Sequence, residues 1–371
     1  MLFALRTLWF ERRRYLPGVM AVAFSGLLVA LQVGIFWGLI GVVSLPIVES
    51  AADIWVAYPN TRSIDLGRAM PAYWADRLWM LGEIERADQY IQGMALWKTD
   101  EEQTELTIVS GSNLEDDTLG PARRLSAEQR NLLREPGAVI LDLADRHRLD
   151  IREVGQAGAV NGHPVRVVGF MQGMSSLTGP FAICSLATAR TLLNLREDQT
   201  TFLLAKCKSP EDVPVAVEKL REFKLYSVHE AKKFALDSKI HWLTKTKAGV
   251  AVTFVALLGL LVGAVVTSQT LYAATAASVR ELAVLRALGI PNMRIRFYVL
   301  QTSFLVGLLG LLVGIPTSIV FALIARQVGT NAEMAPWILW GTASLTLAMA
   351  VVSGFFALRS LRLAEPTALL R

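Results

Sequence analysis

Cysteine, histidine and charge are all scarce in this sequence. Two cysteines in 371 residues, Cys184 and Cys207, exclude a disulfide-built scaffold, and neither belongs to a C-x-x-C pair of the kind zinc sites use. They leave open either one bridge or two buried thiols in the polar middle of the chain. The four histidines, His147, His163, His229 and His241, lack metal-ligand spacing and read as structural or solvent-exposed. There is no G-x-x-x-x-G-K-[ST] phosphate loop, no H-E-x-x-H and no G-x-S-x-G. The chain therefore has no P-loop cradle of its own and reads as a non-enzyme, with no cofactor and no metal site. The acid pairs Glu101-Glu102 and Asp116-Asp117 fall in polar, loop-like sequence and read as solvated.

Charged residues make up only 19% of the chain against 53% hydrophobic, too apolar a balance for a simple soluble enzyme. The uncharged residues collect in four runs, Leu16–Val48, Ala248–Val279, Phe297–Ala325 and Met334–Leu358. Each exceeds the roughly 20 residues that a membrane-spanning helix needs. The expected fold class is an integral membrane protein with four transmembrane α-helices and an α+β extracytoplasmic domain inserted between helices 1 and 2.

The net charge of +5 is unevenly spread. The N-terminus carries Arg6, Arg12, Arg13 and Arg14 against Glu11, the connection between runs two and three carries Arg280, Arg286, Arg294 and Arg296 against Glu281, and the tail carries Arg359, Arg362 and Arg371 against Glu365. The long insert is slightly acidic. A basic excess on the short flanking segments predicts that both termini are cytoplasmic, and it removes the reason to expect a nucleic-acid partner. The start resembles a secretory signal, but its apolar run is far longer than the core of about 7–15 residues such signals have, so it reads as an uncleaved anchor. Before it, residues 1–15 have the mixture of Leu, Phe, Trp and Arg expected of an amphipathic helix lying on the inner membrane surface.

The insert mixes strand and helix signals. Residues 51–58 and 104–109 read as strands, and 157–170 as a hairpin turning at Asn161-Gly162. Residues 185–195 read as a helix capped by Ser185, 201–207 as a strand and 214–223 as a helix. A stalk helix over 229–247, rich in lysine, is expected to continue into the second span. In the spans, Gly34 and Gly38, Gly259 and Gly263, and Gly310 and Gly314 recur at a spacing that lets helices approach closely. Trp242, Trp337 and Trp340 are expected near the outer ends, in an aromatic belt. No Asp, Glu, Lys, Arg or His lies in a span centre, which disfavours an ion-coupled carrier, a proton pump or an intramembrane protease.

The segment AASVRELAVLRALGIPNMRIRF from Ala276 is the most informative. It predicts a short amphipathic helix with Leu282, Leu285 and Leu288 on one face, ended by Gly289 and Pro291. A helix this apolar on the cytoplasmic side fits a partner with a groove. Residues Val262 to Pro291 are similar to the second helix and coupling segment of FtsX/MacB-like permeases of ABC exporters. The start Phe10 to Leu39, ADIWVA (Ala52 to Ala57) and SQTLYAAT (Ser268 to Thr275) resemble more narrowly the DevC-type branch. One departure stands in the coupling segment: ELAVLRALG replaces a pattern like EYGTLKALG, with Ala283 and Arg286 at the altered positions.

That resemblance implies a permease subunit acting as a homodimer or heterodimer, multi-pass in the bacterial inner membrane. It would be driven by a separate cytoplasmic ABC ATPase and work with a periplasmic adaptor protein to export or extract a lipid-like or other hydrophobic substrate. Arg280, Glu281, Leu282, Leu285, Arg286, Leu288, Gly289 and Ile290 would form the ATPase interface. The alternative is a signal transmitter that controls a periplasmic hydrolase or a sensor kinase by the same movement. The expected segments are a cytoplasmic helix 1–15, span 16–45, periplasmic domain 46–228, stalk 229–247, span 248–277, coupling loop 278–296, span 297–325, outer loop 326–334, span 335–358 and a cytoplasmic tail 359–371.

Overall fold

The computed structural model describes residues 10, 12–99, 103–174, 179–276, 290–327 and 333–363. The chain divides into two compact units, Met1–Gly38 with Ala251–Arg371, and Leu39–Val250. Helix α1 (Arg12–Val43) is followed by the one-turn α2 (Leu45–Val48). The first uncharged run is thus longer than its helix. Ser44 leaves helical geometry and Pro46 opens the next turn, where a missing N–H costs nothing. Ile47 then packs into the core of the inserted unit, 3% exposed.

The inserted unit continues with β1 (Ile54–Ala57), β2 (Met70–Pro71), α3 (Ala75–Trp79) and the long β3 (Ile84–Lys98). Next come β4 (Thr104–Ser112), α4 (Ala127–Leu132), β5 (Ala138–Asp142), β6 (Ala157–Val160), β7 (His163–Met171), β8 (Phe181–Ser185), α5 (Leu186–Leu192) and β9 (Gln199–Thr200). The unit closes with β10 (Phe202–Cys207), α6 (Asp212–Glu222), β11 (Ser227–Glu230) and α7 (Ala231–Lys245).

Strands β11-β1-β10-β3 form an antiparallel sheet, and with α3 and α6 they make a split βαββαβ unit. All four residues of β1 are buried because both sheet faces are covered. Ile54, Val56, Leu203 and Ala205 meet the α6 residues Val217 and Leu220, while Trp55, Phe202 and Leu204 meet Phe234 of α7. Everything between β3 and β9 is an insertion into this unit. Its strands run β3-β4-β8-β5-β7-β6, and β6 returns to β3 at Trp97↔Val160, closing a small barrel. Strand β3 is long because it belongs to both parts: Ile84 to Tyr90 pair with β10, and Tyr90 to Lys98 with β4.

The hairpin expected at 157–170 is β6–β7. Asn161 (φ 50) and Gly162 (φ 82) both take the positive φ that a type I′ turn requires. Asn161 also tethers the turn: its side-chain oxygen accepts from Leu96 N–H at 2.9 Å and its amide donates to Leu192 O at 2.8 Å. Ser185 caps α5, accepting from Thr188 N–H at 3.2 Å.

Two expectations need correction. The stalk does not run on into the next helix, because Thr246 is extended (φ −94, ψ 143) between α7 and the following helix. Trp242 does not present its ring at the surface as a belt residue would either; it is 5% exposed near the end of α7. Cys184 and Cys207 are free, buried thiols in two separate apolar clusters.

The membrane unit holds α1 together with α8 (Lys247–Ala276), α9 (Asn292–Gln327) and α10 (Pro336–Leu363). Among the described residues these four helices are long and apolar enough to cross a bilayer.

Candidate functional site

Residues 280–289 of the expected ATPase interface lie outside the described residues. Ile290, the last of that set, is half-buried beside Ile295 and Val299 at the start of α9. The machinery open to description is the helix bundle and the way the inserted domain holds its two connecting segments.

Small residues bring α1 close to its neighbours. A Cβ on Gly310 would lie 2.7 Å from the Val22 Cβ, and one on Gly314 would lie 2.7 Å from the Ala23 carbonyl oxygen. On another side of α1, Gly259 abuts the Gln32 side chain and Gly263 abuts Val29 and Ser25, with Ser25 Oγ donating to the Gly263 carbonyl at 2.7 Å. The Gly34 carbonyl accepts from Glu333 N–H at 3.0 Å, and Trp37 meets Trp337 edge-on at 5.0 Å. Gly38 is buried one turn further along α1. In a lipid solvent, such close backbone approach and interhelical hydrogen bonds are what hold helices together.

In the inserted domain a chain of polar contacts ties the segment after α2 to β3. Ala51 N–H donates to Leu119 O at 2.8 Å, and Leu119 N–H donates to Asp88 Oδ2 at 2.8 Å. Asp88, buried on β3, pairs with Arg86 Nε at 3.1 Å. Arg86 in turn binds Glu115 at 2.7 Å and also Asp117, so one guanidinium holds the loop between β4 and α4. Asp116 pairs with Arg130 at 2.6 Å. The acid pair Asp116-Asp117 is thus exposed but engaged, a role its loop-like sequence did not reveal. Arg124 reaches Glu49 at 3.5 Å and donates to the Gln172 and Gly173 carbonyls.

Asp53 completes the linkage. Its carbonyl accepts from Ala231 N–H, the first residue of α7, at 2.8 Å, and its carboxylate accepts from Cys207 N–H at 3.0 Å. The segment entering the domain from α1 and the helix leaving it toward α8 are therefore hydrogen-bonded to each other. Sequence reading missed this cluster because its members are far apart in the chain and individually unremarkable in type.

The titratable groups of this domain are shifted mainly by burial. Burial raises the Cys207 thiol to about 11, keeping it protonated and unreactive at neutral pH. His229, stacked on Phe234 at 4.6 Å, is lowered by burial. Among the described residues no group of three or more His, Cys, Asp or Glu could hold a metal ion.

Asp145 is raised from 3.8 to about 6 by burial and by Asp142, and one of its carboxylate oxygens has no hydrogen-bond partner. A carboxyl raised on folding favours the native state below its unfolded pKa, and that benefit is lost as pH rises through about 6. Asp145→Asn is therefore expected to stabilise the protein by about 1–2 kcal/mol at pH 7.5, after allowing for partial screening by solvent, and by little at pH 4. Thermal unfolding of the full chain in detergent at the two pH values checks this, and equal effects at both would disprove it.

Fold and linkage together define an integral membrane protein whose large mixed domain is hydrogen-bonded to the segment that enters it after α2, which is in turn hydrogen-bonded to the start of α7. Residues 19–223 match the MacB-like periplasmic core domain and residues 253–366 the FtsX-like permease C-terminal domain. The chain belongs to the FtsX/MacB-like family of ABC transporter permeases. It is 26% identical over 239 residues to an uncharacterized ABC transporter permease of Methanocaldococcus jannaschii, a match covering 60% of this chain and 59% of that relative. Among solved structures, it is similar to the periplasmic region of MacB from Actinobacillus actinomycetemcomitans (12% identity, TM-score 0.35, covering 51% of this chain and 94% of that one). It is also similar to the extracellular domain of the noncanonic ABC-type transporter YknZ from Gram-positive bacteria (10% identity, TM-score 0.35, covering 48% and 100%).

Proposed function

We propose that this chain is the membrane subunit of an ATP-driven exporter of the mechanotransmission type. A separate cytoplasmic ATPase supplies the force at the coupling loop 278–296, with Arg280, Glu281, Leu282, Leu285, Arg286, Leu288, Gly289 and Ile290 as the contact surface. The glycines at α1 transmit that force through rigid packing. The periplasmic domain then acts on a lipid-like or other hydrophobic substrate, alongside a second permease subunit and a periplasmic adaptor, with both termini in the cytoplasm and the spans in the inner membrane.

The observation that carries this reading is the stitching of Ala51 and Asp53 to Leu119 and Ala231. The entry segment is hydrogen-bonded both to Leu119 and to Ala231 at the start of α7, and in this reading movement of either connection displaces the domain as a body. The span centres, free of ionisable side chains, suit force transmission better than an ion path. Substituting Leu285→Asp together with Arg286→Glu is expected to abolish co-purification with the cognate ATPase while the chain still inserts. Retained binding would remove the interface assignment.

A further inference from the structure

The parallel strands β5 and β7 end side by side at Asp142↔Met171, and an open pocket of about 400 Å³ lies at those ends. This volume falls within the about 300–1,000 Å³ of small-ligand sites. It is lined by Arg124 of the turn before α4, Gln129 of α4, Leu143 just after β5, Phe170 and Met171 of β7, and Gln172. Most of this frame is fixed. Ser126 and Gln129 cap α4 reciprocally at 3.1 Å each way, and Gln129 Nε2 donates to the Phe170 carbonyl at 3.0 Å. Asp142 accepts from Met174 N–H at 2.6 Å, which holds the chain that follows β7.

Arg124 is held differently. Among the lining residues it alone is charged, and its contacts are all long: 3.5 Å to Glu49, 3.3 Å to the Gly173 carbonyl and 3.2 Å to the Gln172 carbonyl. Arginine and carboxylate usually close to about 2.7–2.9 Å, as Arg86 does with Glu115 at 2.7 Å and Arg130 with Asp116 at 2.6 Å. Among the described residues Arg124 Nε has no acceptor and the Gln172 side-chain amide has no partner. Beside these polar groups Leu143 is 37% exposed, and Phe170 and Met171 continue the apolar wall. The pocket thus offers a loosely held guanidinium, a free amide and an apolar surface within one small space.

We propose that it takes the C-terminal residue of a peptide chain that ends in an aliphatic side chain. The terminal carboxylate matches the fork of Arg124, the last peptide group pairs with the Gln172 amide, and the side chain lies on Leu143, Phe170 and Met171. Glu49 competes with this carboxylate for the guanidinium. The site uses neither the coupling loop nor the spans, so its failure would leave the transport proposal untouched.

The test is photolabelling of the full chain in detergent with N-acetyl-glycyl-photoleucine, whose diazirine side chain replaces that of leucine, at concentrations well below saturation. Peptide mapping is expected to place label on residues 143 and 170–172, and excess N-acetyl-glycyl-leucine should displace it whereas the C-terminal amide of that peptide should not. Arg124→Gln and the exposed-site variant Leu143→Asp are each expected to lower the labelling about tenfold. Glu49→Gln, which removes the competitor, should raise it about threefold. Label absent from these residues, equal displacement by the amide, or labelling unchanged in all three variants would overturn the site. Displacement by octanoate as effective as by N-acetyl-glycyl-leucine would overturn the peptide assignment in favour of a simple aliphatic acid.

Discussion

Gly314→Leu is expected to destabilise the helix bundle by about 3 kcal/mol, the upper end of overpacking costs. The obstacle is backbone. A Cβ at this position would come within 2.7 Å of the Ala23 carbonyl oxygen and 3.3 Å of its Cα. Neither atom can swing aside as a side chain does, so α1 and α9 would have to separate. Leucine is otherwise favoured in a membrane helix by about 0.3–0.6 kcal/mol, an effect of opposite sign and much smaller size. Gly341→Leu supplies the contrast, since a Cβ there meets nothing within 4 Å, and it should be neutral or slightly stabilising. Loss of helical signal in a denaturing-detergent titration of the two variants measures the difference. If both unfold with the parent midpoint, the helices are not held at this contact. Because the proposed mechanism passes force along α1, Gly314→Leu should also uncouple ATP hydrolysis from transport before the protein is lost altogether.

Much of this architecture was legible in the residues, and the exceptions have physical causes. The four spans were readable because a bilayer demands long uncharged runs, whatever surrounds them. The β6–β7 hairpin was readable because Asn161-Gly162 is a local solution to a local problem, positive φ at two successive residues. Strands β3, β5 and β8 were not. AVILD and FAICS are short apolar runs, buried throughout apart from Ser185, and burial on both faces erases the alternation that distinguishes a strand from a piece of helix. Strand β3 carries Glu85, Arg86 and Asp88 in its first half, residues that look like loop until the loop between β4 and α4 is folded against them. Trp242 misled because an aromatic near a span end fits an interfacial belt as well as it fits the apolar side of α7. The Arg86 cluster draws on residues 51, 86, 88, 115, 117 and 119, a set that no spacing rule connects. The coupling helix expected over 280–289 lies outside the described residues, and its reading rests on its amphipathic pattern and its resemblance alone.

Arg86→Met is expected to cost about 3–5 kcal/mol, the penalty for leaving one member of a buried ion pair uncompensated. Asp88 is 4% exposed, so its carboxylate cannot recover the lost partner from water, and Glu115 and Asp117 would lose the cation that holds them beside it. Combining Arg86→Met with Asp88→Asn should recover most of the loss, because the orphaned charge is gone and the amide oxygen still accepts from Leu119 N–H. Arg86→Lys should fall between the two, since a lysine keeps the charge but not the fork that reaches three carboxylates. Arg196→Met serves as the control. That arginine pairs with Asp198 at 73% and 62% exposure, and a pair so solvated contributes about 0–1 kcal/mol. Chemical denaturation measures the energies, and hydrogen exchange at the Ala51 and Leu119 amides reports on the linkage itself. Faster exchange at both amides in Arg86→Met, restored in the double variant, would place Arg86 upstream of the contact joining the entry segment to β3. Unchanged exchange would mean that Asp88 holds Leu119 without help, and that the proposed mechanism has to join the entry segment to the barrel through Glu49 and Arg124 instead.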